Sequence, residues 1–91
     1  MITRKEAKDF LLKQIDREIS EHGEDFIFMA APQPGKNTWT LAEYRKAIED
    51  DDFLENGGDT KPIDDQLSYV KWLEDHGKDI RDSDSWKELM T

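Results

Sequence analysis

One local pattern occurs three times in this chain and fixes most of what it can fold into. Thr3-Arg4-Lys5-Glu6, Thr40-Leu41-Ala42-Glu43 and Ser85-Trp86-Lys87-Glu88 each set a hydroxyl residue three places before a glutamate. This is the capping box. The hydroxyl accepts a free backbone N–H of the first helical turn, and the glutamate reaches back to the cap. Ile2 and Trp39 precede the first two boxes, where a hydrophobic staple sits. Three helices are expected to start at these points.

The first helix is predicted over 4–22. Ala7, Leu11, Ile15 and Ile19 recur every four residues, Phe10 and Leu12 widen the stripe, and Gly23 ends it. The second is predicted over 41–50, with Leu41, Tyr44 and Ile48 on one face. A further helix begins near Pro62, since proline suits the first helical position. Asp64 and Asp65 then fall in its first turn, where the helix dipole favours negative charge. Ile63, Leu67, Val70 and Leu73 form its core stripe, and Gly77 stops it. Residues 78–84 read as a polar connection, and a short last helix carries Trp86, Leu89 and Met90.

Between the first two helices, DFIFMA (25–30) is rich in strand formers and too short for a helix. PQPGKN (32–37) reads as a turn. The expected fold is therefore α+β, one small domain over 1–91, with strands near 26–31 and 37–40 forming a hairpin laid on the helices. The alternative is an all-α bundle in which DFIFMA is merely extended. An unpaired strand edge there invites a second chain.

Leu, Ile, Val and Phe number 19 of 91 residues. That is close to the level at which a highly charged chain stays disordered, and nine aromatics tip the balance towards a thin folded core. The absence of cysteine excludes disulfides, cysteine-bearing zinc sites and a cysteine nucleophile. No apolar run reaches membrane-spanning length and the start lacks an apolar signal stretch, so a cytoplasmic protein is expected.

The net charge is −9, and its placement says more than its size. Residues 1–48 hold eight bases and eight acids, whereas 49–84 hold 13 acids against 4 bases. Such a field repels nucleic acid and anionic lipid and attracts basic surfaces. Direct nucleic-acid or membrane binding is accordingly not expected.

The densest acidic stretch, EDDDFLENGGDT (49–60), resembles a calcium loop only at first sight. With Gly57 as the EF-hand glycine, Leu54 and Ile63 occupy ligand positions. With Gly58, the first ligand becomes Phe53. Neither register works. The stretch reads as a solvated connection, pinned by Phe53 and Leu54, or as part of a charged binding surface.

Both histidines precede glycine, at His22-Gly23 and His76-Gly77. A metal or catalytic pair is the sharp reading. Two helix stops are the plain one, because His suits the carboxyl end of the dipole and glycine the left-handed turn. On the third helix, Asp65, Tyr69, Trp72 and His76 fall on a face apart from the core stripe. That face is either buried by a second layer or offered to a partner as a Trp-Tyr hot spot.

No nucleophile elbow, phosphate-binding glycine loop or HExxH is present, so no enzyme and no cofactor are expected. The expected function is a small acidic module that docks on a basic surface of a partner protein. An inhibitor, an antitoxin-like protein or a phage or mobile-element accessory protein occupying a nucleic-acid site would have this make-up. The expected contact residues are Asp50, Asp51, Asp52, Asp59, Asp64 and Asp65, which steer association, with Tyr69 and Trp72 slowing release. Two alternatives are a regulatory or structural subunit forming a homo-oligomer and a divalent-metal module.

Overall fold

The computed structural model describes residues 2–29, 38–50 and 62–90. Four helices, α1 (Arg4–His22), α2 (Leu41–Asp50), α3 (Pro62–Asp75) and α4 (Asp84–Met90), dominate it. Two short strands, β1 (Ile27–Met29) and β2 (Thr38–Thr40), pair antiparallel with Ile27 opposite Thr40 and Phe28 opposite Trp39. The balance is mostly helical, nearer the all-α alternative than an α+β fold. The turn expected at 32–37 lies outside the described residues, so the strands are described as a pair and not as a complete hairpin.

The first two capping boxes close as expected. The Thr3 hydroxyl accepts from Glu6 N–H at 3.1 Å, and Thr3 N–H donates to the Glu6 carboxylate at 2.9 Å. At the second box the same two bonds measure 3.1 and 3.0 Å between Thr40 and Glu43. The staples accompany them. Ile2 is buried beside the first cap, and buried Trp39 meets Tyr44 edge-on with ring centroids 5.7 Å apart.

The third box is corrected. α4 starts at Asp84, and its cap is Ser83, whose hydroxyl accepts from Trp86 N–H at 3.2 Å and donates to the Ile80 carbonyl at 2.6 Å. Ser85 therefore lies inside the helix, and Glu88 pairs with Arg17 of α1. The segment expected to be a plain polar connection contains a 3-10 turn, Ile80–Asp82, that buries Ile80. Asp79 caps that turn by accepting from Arg81 N–H.

One apolar core holds these elements together. α1 packs against α2, α3 and α4, contributing Ala7, Phe10 and Ile15. Opposite them lie Ala47 and Ile48 of α2, Ile63, Val70 and Leu73 of α3, Trp39, Ile80 and Trp86. Phe10 and Trp86 tilt together at 5.0 Å. Leu11, Leu12, Ile19 and Leu67 are only partly buried, so the predicted stripes of α1 and α3 sit slightly rotated about their axes. The strand pair is tied to α2 by Leu41 N–H to the Phe26 carbonyl and Ala42 N–H to the Glu24 carbonyl.

Candidate functional site

Burial of Ile63, Val70 and Leu73 turns one side of α3 inward and leaves the opposite side outside. At about 100° per residue, Asp65, Tyr69, Trp72 and His76 share an arc of roughly 60° on that outer side. All four are exposed. Tyr69 and Trp72 are each 51% exposed, which rejects the reading that buries this face under a second layer.

The rings form a ladder along the helix. Tyr69 and Trp72 lie nearly parallel, 12° apart in plane with centroids at 6.2 Å. His76 lies against Trp72 at 4.2 Å, tilted by 33°, and its Nδ1 is 2.7 Å from the Trp72 carbonyl oxygen. A carbonyl only accepts, so Nδ1 donates this bond. Histidine here serves also as the helix stop anticipated from its Gly77 neighbour. Gly77 adopts φ 73°, its N–H donates to the Glu74 carbonyl, and Lys78 N–H reaches the Leu73 carbonyl at 2.8 Å. These two bonds are the Schellman closure of a helix end.

Beside the ladder runs an open groove of about 460 Å³, floored by Leu73 and Ile80 and edged by Tyr69, Lys78, Asp79 and Asp82. Tyr69 thus belongs to both the ladder and the groove. At the groove edge Asp79 is held by Arg81 through two guanidinium bonds, the shorter 2.9 Å, which keeps the Asp79 carboxyl below its ordinary range.

The predicted contact acids divide into three groups. Asp51, Asp52 and Asp59 lie outside the described residues, as does the rest of EDDDFLENGGDT beyond Asp50. Asp50 and Asp64 already have basic neighbours, Lys46 at 3.2 Å and Arg4 respectively. Of the three described acids, Asp65 alone keeps company with Tyr69 and Trp72 and makes no ion pair among the described residues. Its charge, after burial, also pushes the Tyr44 hydroxyl up. Sequence reasoning missed Asp75 and Asp82, which likewise make no ion pair among the described residues. Asp75 was readable, three residues after Trp72 on a helix. Asp82 was not, since only the 3-10 turn brings it to the groove.

Two other features stand apart from this face. Phe26 and Ile27, 44% and 66% exposed, lead into β1, with Phe26 stacked on His22 at 4.7 Å. Glu18, Glu21 and His22 bring potential ligand atoms within 4.8 Å of one another in the last turn of α1. All three are exposed, and such i, i+3, i+4 meetings occur on any acidic helix face. No helix among the described residues is long and apolar enough to cross a membrane.

Comparison of the chain with protein-family models, with curated proteins and with solved structures finds no match.

Proposed function

We propose that this chain is a small acidic binding module, not an enzyme, that docks on a basic surface of a partner protein through the outer face of α3. The observation that carries the reading is the exposure of Tyr69 and Trp72 inside the segment that holds the whole net charge of −9. Large aromatics are the commonest anchors of protein interfaces. A nearly parallel pair, steadied by His76, loses little side-chain freedom on contact. The acids Asp50, Asp51, Asp52, Asp59, Asp64 and Asp65 steer the approach, and the rings hold the complex. A cytoplasmic inhibitor, an antitoxin-like protein or a mobile-element accessory protein covering a nucleic-acid site fits this make-up, with no cofactor and no direct contact to nucleic acid or membrane. The complete hairpin of an α+β fold is part of the same proposal, supported by the antiparallel register of β1 and β2.

The test is the affinity of the captured partner as a function of salt. Binding that weakens with added salt, and weakens again when Asp51, Asp52, Asp64 and Asp65 become asparagine, agrees with the proposal. Affinity indifferent to both removes it.

The exposed Phe26-Ile27 pair beside β1 favours a second reading, a homo-oligomeric subunit joined there. Light scattering separates the two: a stable oligomer broken by Ile27→Lys supports the second, a monomer the first.

A further inference from the structure

We infer that the residues of the basic partner which meet the α3 face are arginines, with a guanidinium laid on the rings of Tyr69 and Trp72 and its N–H groups turned to neighbouring carboxylates. The inference rests on the docking proposal and names the chemistry of its contact.

Charge complementarity selects a cation. Aromatic faces are negative, and these two belong to a segment with nine more acids than bases. Geometry then selects which cation. A guanidinium stacked flat on a ring keeps its five donors in its own plane, pointing sideways past the ring edge. Carboxylates neighbour the rings in sequence and on the surface. Asp65 stands four residues before Tyr69 and Asp75 three residues after Trp72, positions that a helix makes neighbours. Asp82 edges the groove that Tyr69 also lines. None of the three has an ion pair among the described residues, so their acceptors are open. Asp79 is excluded from this role because Arg81 already occupies it. An ammonium is a compact, strongly hydrated charge that cannot both stack and fork to a carboxylate.

The experiment uses the whole chain and two labelled peptides of equal length and charge, one built from arginine and glycine, the other from lysine and glycine. Binding is followed by anisotropy at low salt. The arginine peptide binds tighter, by about two- to fivefold for each stacked guanidinium. Trp72→Leu, which keeps apolar bulk without a π face, and Tyr69→Ala each lower arginine-peptide affinity towards that of the lysine peptide. Both leave the lysine peptide nearly unchanged. Equal binding of the two peptides to the native chain overturns the arginine inference and leaves the docking proposal standing. A preference that survives both substitutions overturns it too, since the rings would then be irrelevant. If neither peptide binds at low salt, the docking proposal itself falls and this inference with it. Circular dichroism of each variant confirms the fold, which half-exposed rings do not hold up.

Discussion

Trp39 does two jobs with one side chain. It fills the core at 2% exposure, and it staples the start of α2 by meeting Tyr44 across the Thr40 cap. Trp39→Ala is expected to cost about 3–5 kcal/mol, read by urea unfolding. In a small domain that is a large share of the total. The serines before α4 make a finer contrast. Ser83→Ala should cost about 1 kcal/mol, because it removes the cap that Trp86 N–H donates to. Ser85→Ala should change stability by less than about 0.5 kcal/mol. The motif alone favours the opposite outcome, because Ser85 has its glutamate three residues on and Ser83 has a tryptophan. Long-range packing decides the matter: burial of Ile80 brings its carbonyl to the Ser83 hydroxyl and starts the helix two residues sooner. The Thr3 and Thr40 boxes were legible because every atom they need is local.

At the scale of elements, α3 was the most readable, since its two faces follow from spacing. Ile63→Ala should cost about 2–5 kcal/mol, while Tyr69→Ala and Trp72→Ala, half in water, should cost far less. What spacing could not show was whether a second layer covers the outer face, because that depends on where other elements come to rest. Gly77→Ala should destabilise by about 1–2 kcal/mol. An added Cβ there meets nothing within 4 Å, so the cost comes only from the backbone at φ +73°. The 3-10 turn after α3 was not legible: its three residues are too few for periodicity, and only Asp79 capping Arg81 N–H marks it. Its carboxyl and that of Glu6 lie below their ordinary values of 3.8 and 4.5, Asp79 mainly through Arg81 and Glu6 mainly through Thr3 N–H. A carboxyl lowered in the folded state contributes stability above its unfolded value and loses it as pH falls through the folded one. Melting temperature should therefore decline as pH drops below 4.5, and the decline should be shallower in Glu6→Gln and Asp79→Asn.

On the scale of the whole molecule, the bases do not merely balance the first half of the chain. Arg4 reaches Asp64 on α3, Arg45 bridges Asp16 and Glu49, and Arg17 holds Glu88. Each is an exposed pair of small energetic worth, about 0–1 kcal/mol. They engage Asp64, Asp16, Glu49 and Glu88, whereas Asp65 and Asp75 on α3 and Asp82 at the groove make no ion pair among the described residues. The segregation of charge along the sequence was plain by counting. Which acids stay unpaired was not, because ion pairs such as Arg4 with Asp64 join residues far apart in the chain.

Docking through α3 requires an open indole in a negative field. Trp39 and Trp86 are buried, so collisional quenching of tryptophan fluorescence at low ionic strength reports chiefly on Trp72. With each quenching constant divided by that of a free neutral tryptophan amide, caesium should give the larger ratio, and Trp72→Phe should abolish most of the difference. Equal ratios for the two ions, or a larger ratio for iodide, would contradict docking through a negative α3 face.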